Sequence, residues 1–277
     1  MMLTFVVVLY NQRLEKSKTM SSLLKAIAEG QIRERLEVIV YDNSQEAQEV
    51  KQLHPGLTIT YHHDPRNLGV AVAYNYAWKV AVENGSKWLV LLDHDTHLTG
   101  EYIRTVTNLS EYDTQIAALV PNVMYEGTHI SPVYSDTLRP LQGDKPKIGI
   151  QSKAIMAINS GAVLNVDFLN EIQGFNEEFA LDYLDHWLFY KIDKEGYQVE
   201  LLDVTLEHDL SVMDYNNVSL TRYQSILSSE FNFYKNYKKE LFPAYRIQLL
   251  KRIAKQIVMV KNKKIAYYTI RQLLSNK

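Results

Sequence analysis

Apolar and polar positions in the first 125 residues alternate between short continuous apolar runs and longer segments with helical spacing. Continuous apolar runs bounded by polar residues predict buried strands, and apolar residues three and four apart predict helices. Strands are predicted at 3–10, 36–41, 57–62, 87–92 and 116–121, and helices at 21–29, 70–84 and 102–109. This alternation predicts an α/β fold with a mostly parallel central sheet and helices on both of its faces.

The pattern changes in the second half of the chain. Residues 125–149 are rich in Gly, Pro, Ser and Asp and show no period, which predicts a long loop. From residue 220 onward the spacing is helical throughout. The elements predicted between these segments are helices at 166–172 and 184–194 and a strand at 199–204.

Charge divides the chain into two parts. From Lys235 to the end Lys and Arg are frequent, and Glu240 is the only acid. We therefore expect an α/β domain over residues 1–215 and a basic helical extension over 216–277. Residues 247–260 combine helical apolar spacing with basic residues on another face. That pattern is typical of a membrane-surface helix, and equally of a helix packed on the α/β domain or on a second subunit in a homodimer.

Composition excludes several classes of function. The 277 residues are 46% hydrophobic, which is enough for a sizeable core, and the net charge of −2 predicts no nucleic-acid partner. The chain has no cysteine, which excludes disulfides, thiolate metal sites and thiol catalysis. The apolar N-terminus is too short for a membrane span, and no other run is long enough.

The most informative stretch is the apolar run 88–92, which is followed by Asp93, His94 and Asp95. In extended backbone two residues that are two apart point the same way, so both carboxylates are expected to face one spot. A divalent cation between them would relieve their repulsion, because hard cations prefer oxygen ligands. Open α/β sheets bind ligands at the carboxyl ends of their strands. The run therefore predicts metal-assisted chemistry on an anionic, phosphorylated substrate.

Other polar residues have both a functional and a structural interpretation. Asp42 follows a buried strand, where it would contact a ribose or a base or simply form a turn. Gly69 opens a helix that would face a phosphate or pack closely on the sheet. Asp182 and Asp185 would act as an interacting acid pair or cap a helix. His208 would be a ligand or a structural histidine.

Six segments in order resemble the inverting family 2 glycosyltransferases with the GT-A fold. They are YN (10–11), VIVYDNS (38–44), NLGVAVAYN (67–75), LVLLDHDT (89–96), INSGAVL (158–164) and GFNEEFALDYLDHW (174–187), and LEHDLS (206–211) follows them. The later segments are similar to the rhamnosyltransferase-like branch. The resemblance covers residues 3 to about 235 and implies a nucleotide-sugar half over about 1–97 and an acceptor half over about 98–215.

The resemblance implies roles for individual residues. Asp185 would be the catalytic base, with Asp182 as the competing candidate. Metal ligands would be Asp93, Asp95 and His208, a set that suits Mn²⁺ or Mg²⁺. The expected donor-binding residues are Tyr10, Asn11, Asp42, Asn67, Gly69, Asn75, Asp93 and His94. The expected acceptor-binding residues are Ser160, Gly161 and Trp187, although Trp187 suits the core equally well.

The function implied is metal-dependent, inverting transfer of a sugar from a nucleotide diphosphate to a cell-surface polysaccharide or a lipid-linked acceptor. Rhamnose from dTDP-rhamnose is the leading expectation, and galactofuranose or glucose from a UDP-sugar is its rival. A non-catalytic nucleotide-sugar-binding subunit is a second class. A nucleotidyltransferase is a third, disfavoured because residues 10–18 contain no glycine for a triphosphate loop. The expected location is cytoplasmic, or peripheral at the inner face of the cell membrane.

Overall fold

The computed structural model describes residues 3–29, 35–109, 113–138, 144–208 and 219–274. Its strands begin and end close to the apolar runs. They are β1 (Leu3–Leu9), β2 (Leu36–Asp42), β3 (Leu57–His63), β4 (Trp88–Asp93), β5 (Thr96–His97), β6 (Ile116–Tyr125), β7 (Thr128–Ser131), β8 (Val133–Tyr134), β9 (Gly149–Ile150), β10 (Ile155–Met156), β11 (Val163–Asn165) and β12 (Gln198–His208).

The helices cover the sheet and form the C-terminal region. They are α1 (Lys18–Ala28), α2 (Val70–Glu83), α3 (Gly100–Thr107), α4 (Val166–Glu171), α5 (Leu184–Lys194), α6 (Leu220–Asn232), α7 (Phe242–Met259) and α8 (Lys263–Leu274). A π-helical segment, Phe233–Tyr237, continues α6, and short 3₁₀ turns occur at Leu14–Lys16 and Lys239–Leu241.

The central sheet has the order β3-β2-β1-β4-β11-β6-β12-β5. Strands β1 to β4 form one parallel block, and β6 and β12 pair in parallel as a second. Strand β11 lies antiparallel between the two blocks and joins them. Two hydrophobic clusters, one on each face, bury the strand residues between helices. The predicted α/β class, with a mostly parallel central sheet, is confirmed.

Two predictions of local structure differ from the structure: one strand is longer than predicted, and one predicted loop contains a strand. Strand β12 runs to His208 and not to 204, because its last residues pair with β5. The predicted loop after residue 125 contains strand β7, which folds back antiparallel on β6 through the turn at Glu126 and Gly127. Both residues have positive φ, a conformation that a two-residue hairpin turn requires. Neither pairing leaves a periodic signal in the sequence.

The C-terminal helices share the core of the α/β domain. Tyr223, Leu227 and Phe231 of α6 belong to the same hydrophobic cluster as sheet residues of β1 and β4, as do Tyr245 and Leu249 of α7. The predicted boundary near residue 215 lies outside the described residues. Within the described ranges, no helix combines the length and the hydrophobicity that crossing a bilayer would need.

Candidate active site

The candidate site lies where the carboxyl ends of β1 and β4 meet. From β1 the chain continues to β2 on one side, whereas β4 pairs with β1 on the other. Open α/β sheets bind ligands at such a switch in strand order. Val8 of β1 pairs with Asp93, the last residue of β4, and Tyr10 follows β1 with about half of its side chain exposed. Asp93 and Tyr10 therefore lie at the same edge of the sheet, at the ends of neighbouring strands.

Asp93 ends β4, and His94 and Asp95 form a turn instead of the extended backbone expected from the sequence. The start of α1 holds this turn. Ser17 Oγ and the Thr19 amide donate to the His94 carbonyl at 2.8 and 3.3 Å, and the Thr19 hydroxyl donates to the Asp93 carbonyl. All three residues of the turn are half-buried. The acid pair therefore sits on backbone fixed by hydrogen bonds.

Ser160 and Gly161, expected to bind the acceptor, pack beside this turn and support it. Ser160 is buried; its Oγ accepts from the Asp93 amide at 3.1 Å and shares a hydrogen bond with Thr96 Oγ1. Gly161 has φ +87°, and a Cβ there would lie 2.8 Å from Leu206 Cδ1. Both positions are enclosed by protein and support the acid turn, and their contact with an acceptor stays a prediction.

Three acids act electrostatically on the hydroxyl of Tyr74 in α2. The side chain is fully buried, and burial raises its pKa well above the usual range. The negative charges of Asp93, Asp185 and Asp95, together with a hydrogen bond to Asp93, raise the pKa further. Asp185 lies far from the other two in sequence, yet it acts on the same hydroxyl. The fold therefore brings the predicted base and the two predicted acid ligands within electrostatic reach of one tyrosine hydroxyl.

Asp182 and Asp185 have different surroundings, although they lie three residues apart. Asp185 is in the first turn of α5, and its Oδ1 accepts from the His186 amide at 2.8 Å. Asp182 Oδ2 accepts from Arg222 Nη1 at 2.5 Å and from Ser225 Oγ at 2.9 Å, and Asp182 is nearly buried. Asp182 is therefore tied to α6 by an ion pair and a hydrogen bond. This contrast gives Asp182 an anchoring role and leaves Asp185 as the better candidate for the base.

The residue between the two acids is held in a constrained conformation. Tyr183 is the N-cap of α5 with φ 67°, the left-handed region that non-glycine residues rarely adopt. Its ring stacks on His186 at 4.3 Å and contacts Phe233 and Tyr234 of the π-helical segment. Burial raises the pKa of Tyr183 and lowers that of His186, so both are neutral near pH 7. The turn that carries Asp185 is therefore packed on the C-terminal region.

Gly69, expected to lie near a phosphate or to pack closely, lies against the loop that precedes α5. It has φ +98°, and a Cβ would come within 2.2 Å of the Ala180 carbonyl oxygen. That carbonyl accepts from the Ala71 amide at 3.2 Å. The Ala71 amide at the start of α2 is thus already bonded to another part of the protein. The predicted close backbone approach exists, and its partner is the loop leading to Asp185.

Asp42 is completely buried at the end of β2. Its carboxylate accepts hydrogen bonds from the Ser44 amide at 3.0 Å, Gln48 Nε2 at 2.8 Å and the Tyr61 hydroxyl at 2.9 Å. Burial alone would raise the pKa of Asp42, and these hydrogen bonds outweigh it and lower the pKa. The Asn11 amide donates to Ser44 Oγ at 2.9 Å. Asp42 therefore orders the loops at this edge, and its contact with a donor stays a prediction.

Asn75 and Trp187 have roles in packing. Asn75 Oδ1 accepts from the Phe175 amide at 2.7 Å, and Nδ2 donates to the Phe175 carbonyl at 2.9 Å and to Glu177 Oε1 at 3.0 Å. It ties α2 to the loop before α5, so its side-chain amide is already engaged. Trp187 is 6% exposed and lies in the core, the second of its two expected environments. Asn67 adopts φ 49° just before Gly69.

The acid pair fits a hard cation. Mg²⁺ at phosphate-handling sites is held by one or two carboxylates together with substrate phosphates, and Mn²⁺ accepts the same oxygen ligands. Asp93 and Asp95 are side chains of that kind. The backbone of His208 pairs with Thr96, beside the acid turn, whereas the His208 side chain lies outside the described residues. Among the described side chains, no cluster of three or more His, Asp or Glu suited to a metal occurs.

Sequence reasoning missed three residues that contribute to the site, namely Arg66, Tyr74 and Arg222. Arg66 forms a bidentate pair with Asp64, at 2.7 and 2.8 Å, and the Tyr41 hydroxyl donates to the same carboxylate at 2.8 Å. Arg66 holds the pKa of Asp64 well below its usual range. The Asp-x-Arg spacing was a readable local signal. The contacts of Tyr74 and Arg222 had none, because their partners lie far away in sequence.

This fold and site define an α/β protein with two acids at the switch point of its sheet and a third acid that acts on the same buried tyrosine, an arrangement typical of an enzyme active site. Residues 4–173 match the model of the family described as glycosyl transferase family 2. The chain belongs to that family and is a glycosyltransferase, which binds a nucleotide-sugar donor and an acceptor. No curated protein matches the chain.

Proposed function

We propose that this enzyme transfers a sugar, with inversion, from a nucleotide diphosphate to a cell-surface polysaccharide or its lipid-linked precursor. Rhamnose from dTDP-rhamnose is the preferred donor in this proposal, and a UDP-sugar carrying galactofuranose or glucose is the alternative. The reaction would take place in the cytoplasm, at the inner face of the cell membrane. The observation that carries the proposal is the convergence of Asp93, Asp95 and Asp185 on the buried Tyr74.

Asp185 is the proposed base. In a single displacement the acceptor oxygen bonds to the anomeric carbon, the bond from that carbon to the diphosphate breaks, and the acceptor proton passes to Asp185. Its position at the start of α5, apart from the Asp182–Arg222 ion pair, supports this role. Asp182 keeps a structural role, because proton transfer to it would break that ion pair.

Asp93 and Asp95 are the residues proposed to hold Mn²⁺ or Mg²⁺, with His208 as a third ligand. When bound, the cation would supply positive charge that offsets the charge on the departing diphosphate. The chain's own contribution is to fix the turn through Ser17, Thr19 and Ser160. That fixed backbone holds both acids at the carboxyl end of β4, beside the end of β1.

The first experiment is a thermal-shift screen of dTDP-rhamnose, UDP-galactofuranose and UDP-glucose, each with and without Mn²⁺. A ligand that binds the folded state raises the unfolding temperature in proportion to the logarithm of its concentration over Kd. We expect one donor to give a larger shift than the free nucleotides, and a larger shift with the cation. Equal shifts for all donors, with or without Mn²⁺, would refute the donor and metal assignments.

The second experiment tests the base. Asp185→Asn should lower turnover of the selected donor by about 10²- to 10⁴-fold while leaving donor binding within about twofold. Asp193→Asn is the matched control, because Asp193 is exposed on the same helix. Wild-type turnover in Asp185→Asn would remove it as the base. Selective donor binding by the wild type, without transfer or hydrolysis, would favour the non-catalytic binding subunit.

A further inference from the structure

The outward face of α7 is apolar although the helix is well anchored. Its inward face buries Tyr245, Leu249 and Ile253 against the core that α6 shares with the sheet. Arg252 forms a bidentate ion pair with Glu230 of α6, at 2.6 and 2.7 Å. These contacts fix which face of the helix is turned outward, so the exposed residues are a property of the fold.

Five residues form that outward face, and we call them the α7 stripe. Their spacing of three, four, three and one places them on one side of a helix. Four of them are large and apolar, from 52% exposed for Ile257 to 81% for Val258. Burying them would remove apolar area from water, which is favourable. The members of the stripe are Ile247, Leu250, Ala254, Ile257 and Val258.

Basic residues flank the α7 stripe. Arg246, Lys251 and Lys255 are exposed on the helix itself. Lys261 and Lys264 follow it and are also exposed, whereas Lys263 is held near the end of α7 by hydrogen bonds from its Nζ to backbone carbonyls. Residues 241–277 contain nine Lys and Arg residues and no Asp or Glu. The surface around the stripe is therefore positively charged.

A second copy of the chain is a poor partner for this face. A two-fold dimer through this face places the same patch on both subunits, so a positively charged surface would meet another positively charged surface. No carboxylate on α7 or α8 could pair with these charges. A surface with dense negative charge and an apolar interior matches both features. Anionic lipid bilayers have that chemistry, and amphipathic helices with Lys and Arg beside an apolar face bind them.

We propose that the α7 stripe and its flanking basic residues dock the enzyme on an anionic lipid surface. The apolar side chains insert at the level of the acyl chains, and the lysines contact headgroup phosphates. Docking leaves the catalytic carboxylates untouched, because the stripe faces away from the core that links α7 to the sheet. The proposal does not depend on which sugar is transferred.

The test is co-sedimentation of the full chain with phosphatidylcholine vesicles that do or do not contain phosphatidylglycerol. We expect binding to the anionic vesicles that falls with added salt. Lys251→Glu/Lys255→Glu should weaken it by about tenfold or more, and Leu250→Gln/Ile257→Gln should do so without a charge change. Lys51→Glu/Lys79→Glu, an equal reversal of exposed charge on other surfaces, should change binding less than about twofold.

Specific outcomes would overturn the proposal. If the control variant loses as much vesicle binding as the α7 variants, the binding depends on the net charge of the protein and not on α7. Binding that survives both α7 variants would place the contact elsewhere. Absence of vesicle binding, together with a dimer in wild type that Leu250→Gln/Ile257→Gln dissociates, would make a second copy the occupant. All four altered side chains are exposed, and matching thermal unfolding curves will show that the variants fold.

Discussion

Replacing Arg222 by methionine tests whether the C-terminal region positions the catalytic base. Met keeps the length and apolar stem of the side chain and removes its charge and donors. Asp182, only 9% exposed, would keep the Ser225 hydroxyl and lose its ion-pair partner. Breaking a buried pair costs about 3–5 kcal/mol. Because Arg222 is one-third exposed and therefore partly screened by solvent, we expect a loss of about 2 kcal/mol.

Activity should fall more than stability suggests. Asp182 is three residues from Asp185 and fixes the turn that begins α5. A displacement of about 1 Å in a catalytic group costs about 10²-fold in rate. We therefore expect kcat to fall between about 10- and 100-fold, with donor Kd within about twofold, because other hydrogen bonds hold the acid turn. Urea denaturation measures the change in stability. Steady-state kinetics measures kcat, and a separate binding assay measures donor Kd, so that the effect on turnover is distinguished from the effect on donor binding.

A second substitution separates positioning from general destabilisation. In Arg222→Met, the further change Asp182→Asn removes the stranded carboxylate and should recover more than half of the lost stability. It should recover little of kcat, because the ion pair that fixes the turn is still missing. Arg271→Met, at an exposed position on α8, is the control. A wild-type kcat in Arg222→Met would show that the ion pair is irrelevant to the base.

Two further substitutions test contacts at the edge of the site. Gly69→Ala should lose about 3 kcal/mol or more by chemical denaturation, because its Cβ would overlap the Ala180 carbonyl; Gly196→Ala, with φ +81° and open space around it, should lose only about 1 kcal/mol. Similar losses would refute the close approach. Asp64→Asn should lose about 2 kcal/mol at pH 7. Since Arg66 depresses the folded pKa, the difference from wild type should shrink as pH falls below about 4, and a constant difference would contradict the pairing.

Local features of the fold could be predicted because each leaves a pattern in adjacent residues. The apolar runs gave the parallel strands, and helical spacing gave α5 with the bounds observed, Leu184–Lys194. The acid pair was predictable for the same reason, because it directly follows the run of β4. The turn conformation of His94 and Asp95 was not, since it depends on hydrogen bonds from Thr19, more than seventy residues away.

Several residues that the family pattern presents as ligand-binding also hold distant segments of the protein together. Asn75, Ser160 and Gly161 each satisfy a contact between distant segments. A glycine or a short polar residue has the same appearance in the sequence whether it approaches a ligand or another loop. Only the neighbours distinguish the two, and those neighbours come from other parts of the chain.

The parts of the site differ in how they relate to the family match. Asp93, Asp95 and Tyr74 lie within the matched residues 4–173, whereas Asp185 and Arg222 lie beyond it. The acid turn after β4 is thus built from the shared pattern, whereas the start of α5 is held by an ion pair to a helix outside it. Because that helix shares a hydrophobic core with α7, we expect substitutions in the C-terminal helices to disturb the start of α5 more than the acid turn.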